Sequence, residues 1–265
     1  MSQQIQERRE VVQRELAWHE EEAHRRYTID ALLYDPPAFD AVVEAGLDFL
    51  QPEQGELVLE IACGEGKEAL ALARRGAIVI CEDLSHVQLL RTKELLEAQG
   101  VAKQVMFIQA NAEEPPFADN SFRLIYGKAI IHHLDSDLSA NEIQRLLKPG
   151  GKASFAEPLA KHPLILLGRW LTPRLRTQDE RPLPLENFRY FGSLFPQMTL
   201  STHFLLTPLA YFVRWLPRGE RPFRWLHKQL QRLDQKLFQH FPRLRSWAWY
   251  GLVNLTLTDD KEQAA

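Results

Sequence analysis

The residues best suited to chemistry surround one short turn, Val58-Leu59-Glu60-Ile61-Ala62-Cys63-Gly64-Glu65-Gly66. An apolar run ends there in small residues and glycines, and a helical apolar pattern continues from it until Gly76. This arrangement predicts a buried parallel strand, a tight turn and a helix. Bare glycine backbone at a helix N-terminus lets a ligand lie where a larger Cβ would clash.

A second carboxylate-bearing segment follows at the spacing of nucleotide-binding folds. The apolar strand predicted over residues 77–81 ends in Glu82 and Asp83. Asp83 lies about 20 residues beyond the turn, where an acidic residue can hold ribose hydroxyls. Simple tight packing of a strand on a helix, without a ligand, is the alternative interpretation of the turn alone.

Six segments in one fixed order carry a resemblance to a known family. They are Leu59-Glu60-Ile61-Ala62-Cys63-Gly64-Glu65-Gly66, Glu82-Asp83-Leu84-Ser85, Asn111-Ala112-Glu113-Glu114-Pro115-Pro116-Phe117, Asp119-Asn120-Ser121-Phe122, Ile131-His132-His133-Leu134 and Leu147-Lys148-Pro149-Gly150-Gly151. With them the chain resembles the class I S-adenosylmethionine-dependent methyltransferases, in the small-molecule group related to ubiquinone-biosynthesis enzymes (methyltransferase type 11). The resemblance covers residues 53–158, less than half of the chain.

The resemblance implies S-adenosylmethionine as cofactor and indicates which residues bind it. These are Glu60, Ala62, Gly64, Gly66, Asp83, Leu84, Asn111, Ala112, Gly127 and Lys128. By the resemblance, Glu60 and the turn hold the methionine part, Asp83 takes the ribose hydroxyls, and Asn111 recognises the adenine edge.

Four positions depart from the family pattern. Ala62 replaces a glycine, and Asn111 replaces the common Asp while keeping an acceptor and adding a donor. Arg123 stands where Asp is frequent, and we expect it to pair with a nearby acid. Lys128 is unusual after the fourth strand, and we expect it to contact a carboxylate on cofactor or substrate.

His132 and His133 are the predicted catalytic residues. They follow the fourth strand, on the side where acceptors bind in the resembling family, and a neutral imidazole suits proton removal from a hydroxyl near pH 7. An orienting or structural role for both is the alternative. We expect Glu157, Tyr27 and Tyr34 to line the substrate pocket, with ordinary packing as the alternative for the tyrosines.

Strand and helix patterns alternate from residue 53, which predicts a parallel sheet. The expected fold is α/β, a Rossmann-like doubly wound seven-stranded sheet whose closing strands lie near residues 198–206 and 247–257. Residues 1–52 form a helical cap, 53–158 the cofactor-binding core, and 159–265 the C-terminal part with a helical lid insertion at about 207–245. Ser139, with Glu142, is predicted to cap the helix that ends at Leu147.

Residues 221–241 predict an amphipathic helix. Its apolar positions are Phe223, Leu226, Leu230, Leu233, Leu237 and Phe241, and its basic positions are Arg221, Arg224, Lys228, Arg232 and Lys236. The pattern favours a lid packed on the domain. Peripheral contact with an anionic membrane is the second interpretation, and nucleic-acid contact is the third.

Composition narrows the class of protein. A net charge of −3 gives no global attraction to nucleic acid, so none is expected as a partner. Cys63 and Cys81 offer neither a disulfide framework nor metal-ligand spacing, so we expect no metal and a reducing cytoplasm, with peripheral membrane contact as an option. Neither a signal-peptide pattern nor a membrane-spanning apolar stretch is present.

The expected function is methylation of a small apolar or amphiphilic metabolite in biosynthesis. The apolar character is inferred from aromatic residues of the additions, Trp170, Phe188, Tyr190, Phe191, Phe195, Tyr211, Phe212, Trp215 and Trp225. The histidines favour O-methylation over C- or N-methylation. The alternatives are a membrane-docking methyltransferase of a lipid-like substrate and a cofactor-binding regulatory protein without turnover. A dinucleotide-dependent dehydrogenase shares the turn and the acid, but not the later segments.

Overall fold

One mixed sheet forms the centre of the protein. The computed structural model describes residues 2–23, 40–171, 183–214, 216 and 218–258. Its strands are β1 Leu57–Ile61, β2 Ile78–Asp83, β3 Val105–Gln109, β4 Phe122–Lys128, β5 Leu147–Pro158, β6 Gln197–His203 and β7 Tyr250–Thr256. The strand order is β3-β2-β1-β4-β5-β7-β6, with β1 to β5 parallel and β7 antiparallel to both neighbours. The predicted α/β seven-stranded sheet and its closing antiparallel pair are confirmed.

Helices cover both faces of this sheet. They are α1 Ser2–Ala23, α2 Asp40–Leu50, α3 Lys67–Arg74, α4 His86–Ala98, α5 Ser136–Leu146, α6 Pro163–Leu171, α7 Leu185–Ser193, α8 Tyr211–Arg214 and α9 Glu220–His240. Side chains alternate between the faces, so Val58 and Leu124 pack with α2, α3 and α4, whereas Leu59 and Ile125 pack with α5 and α7. Burial on both faces is why these strands are apolar at successive positions. None of the described helices is long and apolar enough to cross a membrane.

The strand order fixes where a ligand can lie. The chain proceeds from β1 to β2 and β3 on one side of β1, then returns to β4 on its other side. The connections after β1 and β4 therefore leave the sheet in opposite directions at their carboxyl ends. In doubly wound sheets, this switch point opens the crevice that binds ligands.

Local signals set the ends of the helices at the first two crossovers. Ser85 caps α4, since its Oγ accepts a hydrogen bond from the backbone N–H of Gln88 at 3.3 Å. Gly76 follows α3 with a φ of 93°, a left-handed conformation that favours glycine.

The predicted cap of α5 is wrong. Asp135, not Ser139, is the N-cap, and its Oδ1 accepts from the N–H groups of Asp137 and Leu138, each at 3.0 Å. Ser139 is buried in the first turn, where its hydroxyl donates to the carbonyl of Asp135 at 2.6 Å. Asp135, four residues earlier, satisfies the free N–H groups first, because a carboxylate is a strong cap.

Arg123 has a structural partner, as expected. Its guanidinium pairs with Glu56, with Nη2 2.8 Å from Oε2, and this contact lowers the pKa of that carboxyl. The pair joins the amino ends of β1 and β4, at the edge of the sheet opposite the crevice. Arg123 therefore has no place in the site.

The buried face of α9 differs from the predicted one. Phe223, Asp234 and Phe238 are buried, whereas Leu233 and Phe241 are 42% and 60% exposed. The prediction that Leu233 and Phe241 lie on the packed face is wrong, and an acid takes the inner position instead.

Asp234 sets the rotation of α9. Its carboxylate accepts hydrogen bonds from the N–H groups of Leu205, Leu206 and Thr207 at 2.8, 2.8 and 3.0 Å, and from the Thr207 hydroxyl at 2.6 Å. These donors begin the short 3-10 helix Thr207–Ala210 that leads into α8. Four hydrogen bonds offset the cost of burying the carboxylate, so α9 turns this face inward.

Candidate active site

A cavity of about 230 Å³ lies at the carboxyl ends of β1, β2 and β4, beneath α1. Its wall includes seven of the ten predicted cofactor residues, Ala62, Gly64, Asp83, Leu84, Asn111, Ala112 and Lys128. None of the described residues of the 207–245 insertion lines it. The described helix that covers the cavity is α1, through Arg8, Val11, Val12 and Glu15.

The glycine turn holds Asp83 in place. Gly64 donates its N–H to Oδ2 of Asp83 and Ser85 donates to Oδ1, both at 2.9 Å. Two charge-assisted hydrogen bonds favour the carboxylate form. Asp83 therefore lies on the cavity wall with its charge fixed by the backbone.

Left-handed backbone shapes the same turn. Ala62, Gly64 and Gly66 have φ values of 55°, 51° and 75°. Ala62 thus adopts the conformation of the glycine it replaces, at a cost of roughly 1 kcal/mol. A Cβ on Gly66 would lie 2.5 Å from the Thr92 side chain, so this glycine is required by packing.

Three predicted cofactor residues lie behind the cavity wall. Glu60 is buried beneath the turn, and burial raises its pKa well above the ordinary value. Its nearest recorded partner is the Cys81 thiol at 3.8 Å. A Cβ on Gly127 would meet the ring of Phe155 at 2.7 Å, so that glycine, like Gly66, serves close packing.

Lys128 has a protein partner in this structure. It lies on the cavity wall, as expected, and its Nζ forms an ion pair with Glu68 in the first turn of α3. A ligand carboxylate would have to compete with Glu68 for this ammonium group.

His132 is held by a buried carboxylate. Its Nδ1 lies 2.7 Å from Oε2 of Glu157, which is fully buried. The other oxygen of Glu157 accepts the N–H groups of Ile130 and Ile131, both at 2.7 Å. In the tautomer with the proton on Nδ1, His132 donates to this carboxyl oxygen and Nε2 is the acceptor nitrogen of the ring.

The predicted substrate contact of Glu157 is not what the structure shows. The carboxylate is directed at His132 and the two backbone N–H groups, behind the cavity rather than on its wall. A residue at the end of a strand can face the crevice or the neighbouring loop. Glu157 faces the loop at residues 130–132, because that loop supplies its hydrogen-bond partners. Tyr27 and Tyr34 lie outside the described residues.

His133 reaches the cavity from the same loop. Its Nδ1 lies 3.2 Å from Oε2 of Glu15 in α1, and its ring lies 4.1 Å from that of His132. The two predicted histidines are therefore neighbours with different partners, one fixed by the sheet and the other facing the covering helix.

Polar contacts attach α1 to this edge of the sheet. Arg8 donates to Glu113 through Nε at 2.7 Å and to the carbonyl of His133 at 2.9 Å. Glu20 accepts from the Ser85 hydroxyl at 3.1 Å. Spacing along the sequence does not connect Arg8 with Glu113, and only the fold brings the two charges together.

Glu82 is the residue that the sequence analysis missed on the cavity wall. It is 1% exposed, and its Oε2 has no hydrogen-bond partner in the described structure. Burial, reinforced by the charge of Asp83, raises the pKa of Glu82 to about 8. The sequence places two adjacent acids, Glu82 and Asp83, at the end of an apolar strand, and the prediction assigned a ligand contact to Asp83 alone.

This geometry defines a class of protein. A doubly wound sheet with a glycine turn after β1, a fixed carboxylate after β2 and a covered crevice at the switch point is a nucleotide-cofactor fold. Residues 58–151 match the sequence profile of the family described as "Methyltransferase domain". This stretch is therefore similar to methyltransferase domains, in agreement with the resemblance.

Relatives whose names state the methylated atom include O-, N- and C-methyltransferases. Methyltransferase GfsG of Streptomyces halstedii is 34% identical over 139 residues, 49% of this chain and 50% of that protein. Ubiquinone/menaquinone biosynthesis C-methyltransferase UbiE of Shewanella frigidimarina is 36% identical over 120 residues, 42% of this chain and 46% of that protein. The chain spans about half the length of these relatives.

Solved structures show the same fold. Geranyl diphosphate C-methyltransferase from Streptomyces coelicolor A3(2), in complex with S-adenosylhomocysteine, has a TM-score of 0.57 and 16% identity, covering 82% of this chain and 78% of that one. The cyclase SpnF has the same TM-score at 20% identity, covering 83% and 82%. A cyclase on this fold shows that the fold alone does not establish methyl transfer.

Proposed function

We propose that this chain methylates a hydroxyl group of a small apolar or amphiphilic molecule, with S-adenosylmethionine as donor and His132 as general base. The observation that carries the proposal is the contact between His132 and the buried Glu157, beside the cofactor cavity. A carboxylate at Nδ1 fixes the tautomer in which Nε2 can take a proton.

The cavity residues fit the cofactor. The fixed carboxylate of Asp83 suits ribose hydroxyls, the backbone of the 62–66 turn suits the amino acid end, and Asn111 with Leu84 suits the adenine. The unpartnered oxygen of Glu82 leaves one further polar contact for a ligand. When bound, S-adenosylmethionine supplies an activated methyl carbon.

The protein's own contribution is orientation, exclusion of water and removal of one proton. Arg8 holds α1 over the cavity through Glu113, and a closed site favours displacement over hydrolysis. Nε2 of His132 takes the hydroxyl proton, while Glu157 acts as a positioning residue that stabilises the imidazolium formed. His133 is the second candidate base, because it lies on the cavity wall.

The aromatic residues of the additions give only partial support for an apolar acceptor. Phe188, Phe191 and Phe195 are buried in the core against the sheet, so they cannot line a substrate pocket. Trp170 and Phe212 are exposed on the helices beyond β5 and β6. The support that remains is this exposed apolar surface, and the atom methylated is inferred from the histidines.

Calorimetric titration with S-adenosylmethionine and, separately, NAD tests the cofactor assignment. We expect the wild type to bind S-adenosylmethionine, a sulfonium compound, with micromolar affinity and not to bind NAD. Asp83→Ala should bind S-adenosylmethionine more weakly. Acceptors are then screened by mass with wild type, His132→Ala and His133→Ala. Unchanged turnover in His132→Ala would remove the base assignment, and cofactor binding without any product would favour a regulatory protein.

A second candidate function is docking on an anionic membrane from which a lipid-like acceptor is drawn. The outward face of α9 carries five basic residues, Arg221, Arg224, Lys228, Arg232 and Lys236, around Trp225, which is 65% exposed. An exposed indole among basic side chains suits the headgroup region of an anionic bilayer.

Co-sedimentation with phosphatidylserine-containing vesicles tests this surface. We expect the wild type to sediment and the triple variant Arg224→Glu, Lys228→Glu, Arg232→Glu to stay in solution. A matched triple variant at exposed positions of other elements, Arg74→Glu, Lys93→Glu and Lys103→Glu, should sediment like the wild type. If the wild type stays in solution, the docking proposal is wrong, and the methyltransferase proposal is unaffected.

A further inference from the structure

Two adjacent carboxyl groups on the cavity wall differ in how they are held. Asp83 receives two backbone hydrogen bonds, whereas Oε2 of Glu82 has no partner in the described structure. Both side chains are buried, at 8% and 1% exposure, and both line the cavity. A buried polar atom without a partner costs free energy, so its persistence in a ligand cavity points to a partner on the ligand.

The charge of that partner follows from the surroundings. The charged and titratable groups facing the cavity are Arg8, Glu15, Asp83, Lys128 and His133. All five have protein partners, since Arg8 pairs with Glu113, Lys128 with Glu68, His133 with Glu15, and Asp83 with backbone N–H groups. Protein cations are thus engaged elsewhere, and Glu82 remains beside a like charge.

We propose that Glu82 is a cation-selective residue of this cavity, which favours the positively charged sulfonium cofactor over its neutral thioether product. The inference rests on the proposed function, because it takes the cavity as the cofactor site. In a cavity of about 230 Å³, a ligand charge is held within roughly 8 Å of the wall residues, where screening is weak. A cation at that distance favours the carboxylate form of Glu82, and the neutral product does not.

The proposal makes cofactor binding release a proton. Because the pKa of free Glu82 is about 8, roughly nine in ten molecules carry this proton at pH 7. The sulfonium therefore displaces close to one proton from Oε2 to the solvent. As the pH is raised towards 8, the affinity for the sulfonium therefore increases by up to about tenfold per pH unit. The affinity for the thioether does not increase in this way.

Calorimetry of the full chain in two buffers of different ionisation enthalpy counts these protons. We expect release of close to one proton at pH 7 with S-adenosylmethionine and no matching release with S-adenosylhomocysteine. Equal proton counts for the two ligands would overturn the proposal on wild type alone. Binding of neither ligand would overturn the proposed function, and the inference with it.

Glu82→Gln isolates the contribution of this side chain, because the other charged groups of the cavity are unchanged. We expect the variant to bind the sulfonium at pH 6 like the wild type, at least about tenfold more weakly at pH 8.5, and to release no proton. Glu97→Gln, at an exposed position of α4 away from the cavity wall, is the matched control and should resemble the wild type. A loss that is equal for both ligands or independent of pH would show a merely structural role.

Discussion

Glu157→Gln tests whether Glu157, at the end of β5, sets the tautomer of the His132 imidazole. In the wild type, one oxygen of Glu157 accepts two backbone N–H groups and the other faces Nδ1 of His132. The amide oxygen of glutamine can still accept the N–H groups of Ile130 and Ile131. Its NH2 group must then face Nδ1 and donate to it, which moves the imidazole proton to Nε2.

The structure sets the size of both effects. Glu157 is fully buried, so replacing its charge-assisted hydrogen bonds with neutral ones costs about 1–2 kcal/mol of unfolding free energy. The catalytic effect is larger, because a proton on Nε2 leaves no base for the acceptor hydroxyl. General-base catalysis contributes roughly 10²–10⁴ in rate, and we expect kcat to fall by that factor.

Long-range ¹H–¹⁵N correlation spectra measure the tautomer without an acceptor. We expect Nδ1–H in the wild type and Nε2–H in Glu157→Gln at a pH where the ring is neutral. Glu56→Gln is the matched control, because Glu56 pairs with Arg123 at the opposite edge of the sheet. A wild-type ring protonated on Nε2, or a variant with an unchanged spectrum, would refute the account of Glu157 as the positioning residue.

Three further predictions concern stability. His162, His203 and His227 have pKa values lowered by burial, that of His203 to about 4, so their contribution to stability is present above the unfolded pKa of about 6.5 and is lost as pH falls towards 4. Urea titrations from pH 7 to 4.5 should show that loss, and His203→Gln should reduce it by about 2 kcal/mol. The raised pKa of Glu82, about 8, works in the opposite direction, because the folded state keeps a proton that the unfolded state loses above about pH 4.5. Glu82→Gln should therefore stabilise the protein at pH 8.5 by up to about 5 kcal/mol and have little effect at pH 4.5, and equal melting temperatures at pH 8.5 would contradict this. Asp234→Asn replaces one carboxylate oxygen with an NH2 group that faces at least one backbone N–H group, and should cost roughly 3 kcal/mol in chemical denaturation, whereas Asp48→Asn on the surface should cost little.

Local chemistry explains which parts of the site could be predicted from the sequence. The turn at residues 62–66 contains left-handed backbone, and the glycines in its sequence predict that conformation without any knowledge of tertiary contacts. Ser85 caps α4 through a hydrogen bond three residues away. Strands buried on both faces are apolar at successive positions, so the parallel sheet and the placement of Asp83 after β2 follow as well.

Other assignments depended on which distant groups meet. Glu157 and His132 are 25 residues apart, and only the pairing of β5 with β4 places that carboxylate behind the histidine loop. Arg8 finds Glu113 across 105 residues. No periodicity or spacing in the sequence encodes such contacts, because they depend on how helices and strands are stacked.

The sequence by itself determined the fold class, the turn and the acid that define the cofactor site, because each is encoded in residues close together along the chain. Tertiary structure decided which acids are paired and which is left free. Asp234 reads as a polar position of an amphipathic helix, yet four donors from residues 205–207 turn it inward. Glu82 reads as one of two adjacent acids, yet burial beside Asp83 leaves it without a partner in the cavity. Burial and hydrogen-bond satisfaction belong to the assembled chain, and they give the chemically similar carboxyl groups of Asp234, Glu157 and Glu82 different surroundings.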